Sequence, residues 1–404
     1  MHILVLDTIH GGKAIGKAFL ARGDFVDCVD VYRGKSVIDV ATACAGTYDL
    51  IVAPVHLDPD HPLLRFPRAP VISHHEAVRQ LLGKNVPKPM IEITGARGKT
   101  TTAHALAFLM QGPGILHTSS GTYRFPGKVL VSKSSITPAS VLSAAELALE
   151  IHGWLIAEES LGVTGRGDLS IITSADDYVF AQGKKSALAT KVELAKNAPQ
   201  LLLAENVEVV SSGQVNHIED IAVSNNTDCI ITYCGTTGRF TNPLLAVPGY
   251  HSSLVLAAAA GMILGMDPGP LSSFEAIPGR MSVSYEKRVL FVDNANSGTS
   301  SATTIEAAQY ARDLSGNEDI TLVIGQVAGD GAVCEGFAVD GMLETIDRIH
   351  PVKVIWVGRI PLPKEYKALE PHIAVCTTTL NEARAIAAGM TDHGSVVLAV
   401  KTWR

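Results

Sequence analysis

Short apolar segments alternate with helix-like segments along the first part of the chain. Ile3–Leu6, Phe25–Val31 and Leu50–Ala53 have the length and residue types of buried strands. Lys13–Ala21, between the first two, has the apolar spacing of an amphipathic helix. This order predicts a parallel sheet covered by helices. The segment NVPKP at 85–89 contains two prolines, which break both element types, so we expect the first domain to end there.

The same alternation continues after this break and predicts two further domains. A second set of elements begins with the strand Met90–Thr94 and runs to an Ala-rich helix after His251. The segment MDPGPLSS at 266–273 separates it from a third set of strands and helices. We therefore predict an α/β fold of three domains: a Rossmann-like N-terminal domain at 1–87, a central P-loop ATPase-like parallel sheet at 88–270 and a Rossmann-like C-terminal domain at 271–404.

Composition and charge exclude some classes of function. The 404 residues include 33 Lys and Arg against 40 Asp and Glu, a net charge of −7, which argues against a nucleic-acid partner bound through a general positive field. No apolar run reaches about 18 residues, the length of a membrane span, so no membrane partner is expected. The chain begins directly with a strand, so no signal peptide is expected. The six cysteines are scattered and form no C-x-x-C spacing, which predicts reduced thiols in a cytoplasmic protein.

A glycine-rich turn between the strand Met90–Thr94 and the helical stretch His104–Met110 is the strongest chemical signal. Its sequence is GARGKTTT at 95–102, in the strand-turn-helix context of a phosphate-binding loop. The two glycines let the backbone curl so that N–H groups face phosphate oxygens, and the new helix adds its positive dipole end. We predict that the chain binds ATP and Mg²⁺, with the nucleotide contacted by Gly95, Ala96, Arg97, Gly98, Lys99, Thr100 and Thr101.

The loop has a short form, G-x-x-G-K-T-T, in which Lys99 can reach the β- and γ-phosphates and the Thr100 hydroxyl can ligate Mg²⁺. This form resembles the phosphate loop of the ATP-dependent Mur ligase superfamily. Weaker motifs follow in the family's order: SITP at 135–138, AEES at 157–160, ITSADD at 172–177, PGYH at 248–251, PGRM at 278–281 and VDNAN at 292–296. The resemblance implies that a carboxylate takes the γ-phosphate, becomes an acyl phosphate, and is then attacked by a nucleophile.

The resemblance also implies catalytic roles for side chains outside the loop. Glu158 would hold a second Mg²⁺, and Glu159 is an alternative for the same role. His251 would assist as a further metal ligand. Lys191 is a candidate for the lysine that many members carbamylate, a change that turns an amine into an anion able to ligate metal. Together with Lys99, these residues form the predicted catalytic set.

Two residues of the third domain complete the predicted nucleotide site, and other positions depart from the family pattern. Arg280 offers a planar fork for phosphate charge, and Asp293 can accept from the ribose hydroxyls. Asp177 or Tyr178 stands in the place of a family histidine. Ser252 replaces an asparagine, and Asn296 replaces the histidine of the D-Y-A-H motif. These departures indicate a divergent member rather than a wall-peptide ligase.

The turn after the first strand resembles the substrate-binding turn of the D-glutamate-adding muramyl ligase. It lacks G-x-G-x-x-G, so a nicotinamide site is a poor interpretation. The residues that we expect to contact the substrate are His10, Gly11 and Gly12. Three more histidines could face the same cleft, although ordinary surface or core positions are the simpler interpretation: His56, His74 and His75.

The substrate itself is predicted by resemblance alone. The short, divergent chain resembles a branch of the Mur ligase superfamily from methane-producing archaea. Enzymes of this branch use ATP to activate a propionate side chain of a nickel tetrapyrrole and then close a six-membered carbocycle. The expected partner is therefore a small-molecule carboxylate, with a nickel tetrapyrrole as the first candidate. The alternatives are an amide ligase that adds an amino acid, a P-loop ATPase switch or motor, and a non-enzymatic nucleotide-binding module. The sequence does not predict the oligomeric state.

Overall fold

Three mainly parallel sheets organise the chain in a computed structural model, which describes residues 1–34, 38–65, 67–286, 288–327, 337–358 and 373–402. The chain divides into two compact units. The first contains Met1–Thr241 and Ser252–Ser272, and the second contains Asn242–His251 and Ser273–Arg404. The predicted α/β fold of three parallel-sheet domains is confirmed. The domain boundaries near 87 and 270 stay predictions.

The first sheet has four parallel strands in the order β2-β1-β3-β4. Its strands are β1 His2–Leu6, β2 Phe25–Val29, β3 Leu50–Ala53 and β4 Val71–Ser73. The accompanying helices are α1 Gly12–Ala21, α2 Val40–Ala45, α3 Pro62–Arg65 and α4 His74–Leu82. Helix α4 starts sharply because Ser73 and Glu76 form a reciprocal capping box.

The second sheet has eight strands in the order β14-β13-β10-β5-β9-β6-β7-β8, of which the first six are parallel. Its strands are β5 Met90–Thr94, β6 Gly114–Thr118, β7 Gly121–Phe125, β8 Val129–Ser132, β9 Trp154–Glu158, β10 Leu169–Ile172, β13 Gln200–Leu203 and β14 Gln214–His217. The helices of this part are α5 Lys99–Leu109, α6 Pro138–Glu150, α7 Ala187–Ala195, α8 Ile218–Ile221 and α9 His251–Ile263.

Two small antiparallel sheets accompany the second sheet. One is the pair β11 Val179–Phe180 and β12 Lys185–Ser186. The other contains β15 Ala222–Ser224, β16 Asp228–Tyr233 and β17 Thr236–Thr241. Two 3₁₀ helices cover Pro243–Ala246 and Gly269–Ser273.

The first two sheets share one hydrophobic core. Phe19 of α1 and Val78 of α4 are fully buried in the same cluster as Val141 of α6 and Leu155 of β9. The approach is close, since a Cβ added at Gly11 would lie 2.6 Å from the Ala139 Cβ. Densely packed interiors resist displacement, so this core fixes the first sheet against the second.

The third sheet lies in the second unit and has the order β18-β19-β23-β20-β21-β22, with only β18 antiparallel. Its strands are β18 Ser282–Glu286, β19 Val289–Asp293, β20 Ile320–Gln326, β21 Lys353–Val357, β22 Ile373–Thr377 and β23 Ser395–Lys401. The described helices are α10 Ser301–Ser315, α11 Val339–Ile349 and α12 Leu380–Met390.

The structure also bears on the predictions about membrane spans and cysteine thiols. None of the helices in the described ranges is both long enough and apolar enough to cross a membrane. Free thiols are found at Cys28, Cys44, Cys229, Cys234 and Cys376, whereas Cys334 lies outside the described residues.

Candidate active site

The predicted phosphate loop connects β5 to α5 and depends on its two glycines. Gly95 has a φ of 152° and Gly98 a φ of 83°, both in the region that favours glycine. A Cβ at Gly95 would lie 2.1 Å from the Thr173 Oγ1, so the loop leaves no room for a side chain there. The loop passes this close to β10 because β5 and β10 are neighbouring parallel strands.

The backbone amides of the loop converge on one oxygen. The N–H groups of Ala96 and Arg97 donate to the Ser174 Oγ over 3.2 and 3.4 Å. The Lys99 Nζ donates to the Gly95 carbonyl at 3.0 Å, which folds the lysine back over the loop. Amides that share one acceptor form a concavity suited to an anionic oxygen, and the start of α5 adds its dipole.

The polar side chains around the loop include an ion pair that the sequence did not predict. Arg97 donates from Nε to the Asp176 Oδ2 at 2.7 Å, and both side chains are substantially exposed. Thr101 is instead buried within the first turn of α5. Arg97 is therefore anchored at the loop surface, whereas Thr101 contributes to the packing of the helix.

Thr100, in the first turn of α5, contacts Glu158, the last residue of β9. The Thr100 hydroxyl donates to the Glu158 Oε2 at 2.7 Å, and the Ser119 N–H donates to the same oxygen at 3.0 Å. The Ser119 hydroxyl lies 3.1 Å from that of Thr100. Glu158 is only 2% exposed. Hard oxygen donors are the ligands that Mg²⁺ prefers, so this pair fits the predicted ion.

Glu159 has the opposite surroundings, although it is the next residue. Its side chain is fully buried, close enough to Glu92 for the two charges to interact. Burial, followed by the charge of Glu92, raises the pKa of Glu159 well above its usual range. Glu92 accepts from the N–H groups of Thr164 and Gly167. A protonated Glu159 is a poor metal ligand, so the geometry favours Glu158 for that role.

Lys191, on α7, is buried with its ammonium unsatisfied. It is 1% exposed, and within the described ranges its Nζ has no hydrogen-bond partner. The Nζ lies 4.9 Å from the Tyr178 ring centroid. Burial, followed by the charge of Lys99, lowers the pKa of Lys191 to about 8. Near that pH about half of such amines are neutral, which is the nucleophilic form that carbamylation requires.

Three predicted site residues belong to the second unit, where each lies at or beside the end of an element. His251 begins α9, and its Nδ1 lies 2.9 Å from the Leu245 carbonyl oxygen. Arg280 follows the PG turn before β18, and Asp293 ends β19. The Asp293 Oδ2 lies 3.8 Å from an Arg384 nitrogen. The roles expected for these residues stay predictions.

The turn after β1 brings together His10 and two residues from outside the predicted set. Asp7 is fully buried, and its Oδ2 lies 2.8 Å from the His10 Nδ1 and 3.5 Å from the His56 Nε2. Burial alone would raise the pKa of Asp7, but hydrogen bonds from His10 and His56 outweigh it and hold that pKa well below its usual range. Gly12 packs against the Asp7 carbonyl so tightly that a Cβ would lie 1.8 Å from its oxygen.

The other two histidines of this part are core residues, in line with the simpler interpretation. The His74 Nε2 contacts the Leu6 carbonyl oxygen at 3.0 Å, and the His75 Nε2 contacts that of Ser160 at 3.1 Å. Both rings are buried. Burial lowers the pKa of His74 to about 4 and that of His75 to about 3, so both are neutral at physiological pH.

Sequence reasoning missed the residues that surround the predicted ones. Ser119 and Ser174 follow β6 and β10, and Asp7 follows β1. All three occupy the carboxyl ends of parallel strands, where ligand sites of open α/β sheets are found. That position is the signal by which a small polar residue after an apolar strand could have been added to the site.

Comparisons with known proteins identify a matching family and relatives in sequence. A family described as coenzyme F(430) synthetase CfbE, C-terminal domain, matches residues 283–402. The chain is 31% identical to the coenzyme F(430) synthetase of Methanosarcina acetivorans over 413 aligned positions, which cover 85% of this chain and 87% of that protein.

Solved structures share the fold at low sequence identity. The murein peptide ligase Mpl of Psychrobacter arcticus superposes with a TM-score of 0.51 and 12% identity, covering 99% of this chain and 95% of that one. The MurF ligase of Thermotoga maritima, solved in complex with ADP, has a TM-score of 0.50 and 16% identity, covering 90% and 87%. These likenesses establish the Mur ligase fold.

Proposed function

The chain belongs to the coenzyme F(430) synthetase family of Mur ligase-like enzymes, and we propose that it uses ATP to close a carbocyclic ring on a nickel tetrapyrrole. The observation that carries the proposal is the 31% identity to a named coenzyme F(430) synthetase over 85% of this chain. The Thr100–Glu158 contact beside the glycine loop supports the ATP-dependent part, since it provides oxygen ligands next to a phosphate cradle.

The proposed reaction has two steps. First, an oxygen of the substrate propionate attacks the γ-phosphorus of ATP, so that an acyl phosphate forms and ADP leaves. Second, a ring carbon that has given up a proton attacks the acyl carbon. The new carbon–carbon bond forms as the bond from the acyl carbon to the phosphate oxygen breaks, and phosphate leaves with the electron pair.

Residues of the first unit supply positioning and charge for the first step. The amides of Ala96 and Arg97 bind phosphate oxygens in place of the Ser174 hydroxyl, and Lys99 turns from the Gly95 carbonyl towards the β- and γ-phosphates. Thr100 and Glu158 would hold Mg²⁺, which supplies neutralising charge when two anions approach.

Lys191 has a separate part in this proposal. Reaction of its neutral amine with CO₂ forms a carbamate and releases one proton. The product places an anion beside the charge of Lys99, where the protonated amine would be a buried, unsatisfied cation. This change removes a like-charge repulsion and creates a further oxygen ligand for metal.

The test is an anaerobic turnover assay with the nickel tetrapyrrole seco-acid, with and without added amino acids. We expect ADP, phosphate and a product lighter than its substrate by one water, formed without any amine. A product that appears only with an amino acid would replace ring closure by amide formation. ATP hydrolysis that is indifferent to any carboxylate would replace the ligase by a P-loop ATPase.

A further inference from the structure

Three ligand atoms converge at the carboxyl ends of β1 and β3. The His10 Nδ1 and the His56 Nε2 lie 3.3 Å apart. Both face the Asp7 Oδ2, at 2.8 and 3.5 Å. Among the described residues, this is the one group of three His, Cys, Asp or Glu side chains whose ligand atoms are this close. Neither the phosphate chemistry nor the proposed ring closure uses it.

The spacing of the three atoms suits a metal ion at their centre. Bonds of about 2.0–2.1 Å to nitrogen and oxygen place two ligands about 3.3 Å apart at a tetrahedral angle and about 2.9 Å apart at a right angle. The three observed separations, 2.8, 3.3 and 3.5 Å, lie close to these values. If hydrogen bonds alone held this group together, the ring N–H groups of His10 and His56 would both point at the Asp7 Oδ2. Their two nitrogens would then lie only 3.3 Å apart.

The surroundings orient the ligands and leave them accessible. The N–H groups of Ile9 and His10 donate to the Asp7 Oδ1 at 2.7 and 3.1 Å, which turns the Oδ2 towards the imidazoles. The Tyr32 ring stacks on His56, with centroids 5.8 Å apart. Asp7 is buried, but the side chains of His10 and His56 are 17% and 27% exposed, so an ion can enter from solvent. Such outer contacts are typical of built metal sites.

We propose that Asp7, His10 and His56 bind one divalent ion of the zinc and nickel class. Two imidazoles and one carboxylate suit borderline ions of this kind, whereas Mg²⁺ prefers oxygen ligands alone. Three protein ligands leave at least one position open to water or to a carboxylate oxygen. The nickel of a planar macrocycle accepts one protein atom on each face, so three converging atoms fit a free ion.

The test uses the full chain without an affinity tag, titrated with Co²⁺ in the absence of ATP and tetrapyrrole. We expect one equivalent to bind, with the intense visible absorption of a low-symmetry site, and Zn²⁺ to displace it. His56→Gln should weaken binding at least about 100-fold, since even outer-contact losses cost 10–100-fold. His10→Gln provides a second variant, and circular dichroism checks the folding of both.

His2→Gln is the matched control. His2 also contacts a carboxylate, with its Nε2 3.0 Å from the Asp27 Oδ2, but no third ligand joins this pair in the described part of the chain. It should bind Co²⁺ as the wild type does. Equal binding by folded His56→Gln and wild-type protein, or no saturable binding by the wild type, would overturn the site. Because no nucleotide or tetrapyrrole is present, the result is independent of the proposed function.

Discussion

Two adjacent carboxylates, Glu158 and Glu159, show how a strand end separates chemistry from packing. Side chains alternate between the faces of a strand, so consecutive residues meet different surroundings. Glu158 accepts hydrogen bonds beside the phosphate loop, whereas Glu159 is buried against Glu92. The sequence motif alone leaves both as alternatives, and the surroundings of each distinguish them.

Exchanging each carboxylate for an amide separates the two roles. Glu158→Gln should lower ATP-dependent turnover at least about 100-fold, because it removes a charged ligand whose ion contributes several kcal/mol of charge stabilisation. Glu159→Gln should leave turnover close to wild type. Measurement of ADP release under saturating substrate compares them, and the reverse ranking would assign the metal to Glu159.

Glu159 also predicts a pH dependence of stability. Its pKa in the folded protein lies well above the usual value near 4.5, so below that pH both folded and unfolded states hold the proton. As the pH rises, the unfolded state ionises first, and stability is lost up to the folded pKa. Glu159→Gln should therefore gain stability over the wild type progressively as the pH rises above the usual carboxyl pKa. Urea unfolding at several pH values measures this, and a constant difference would contradict it.

Lys191 predicts a carbamate that forms in the alkaline range. Since its pKa is about 8, the neutral amine that reacts with CO₂ increases as the pH passes that value. Carbon-13 NMR in labelled bicarbonate should show a carbamate signal that Lys191→Met removes. Lys196→Met is the control, because Lys196 follows the same helix but is exposed and paired with Glu193. A signal that both variants retain would place the carbamate elsewhere.

At the scale of elements, the strand-turn-helix unit around the phosphate loop is determined mainly by local sequence. Its glycines, lysine and threonines are consecutive, so pattern alone predicts them. Ser119 and Ser174 are different, because they reach the loop only through the strand order β10-β5-β9-β6. Asp7 and His56 are likewise far apart in sequence and meet because β1 and β3 are neighbours. Long-range pairing of this kind is not encoded in a local pattern.

Glycine-to-alanine changes test whether the phosphate loop requires glycine. Gly95→Ala should reduce ATP affinity and cost about 1–3 kcal/mol of unfolding free energy, because of its φ of 152° and the approach of Thr173. Gly389→Ala is the matched control. This residue is exposed within α12, with open space around it, so alanine should stabilise by roughly 0.5–1 kcal/mol. Calorimetry and nucleotide titration measure both, and a neutral Gly95→Ala would contradict a tight loop.

At the scale of the whole molecule, the pattern of alternating elements correctly predicts three sheets but not which of them share a core. The break at 85–89 suggests an independent first domain, yet α1 and α4 pack into one cluster with α6. Helical periodicity shows that a face is apolar without showing what covers it. The identity of that partner comes only from the assembled structure.

The shared core predicts one cooperative opening for the first two sheets. Native-state hydrogen exchange should give amides of β1 and β5 the same opening free energy as denaturant is added, because exposing one face of the cluster exposes the other. The opening free energy of amides in the third sheet provides an internal comparison. Earlier exchange of β1 than of β5 would show instead that the N-terminal sheet opens alone.

The close approach of Gly11 to Ala139 limits how this protein can be adapted to bulkier compounds. A library that enlarges residues along α1, α4 or α6 would mostly yield unfolded chains, because the packed core has no space for additional side-chain volume. The adjustable material lies in the loops that follow β1 and β3. Directed evolution of ligand preference is therefore best concentrated on segments 8–10 and 54–61, leaving Gly11, Gly12 and the helices unchanged.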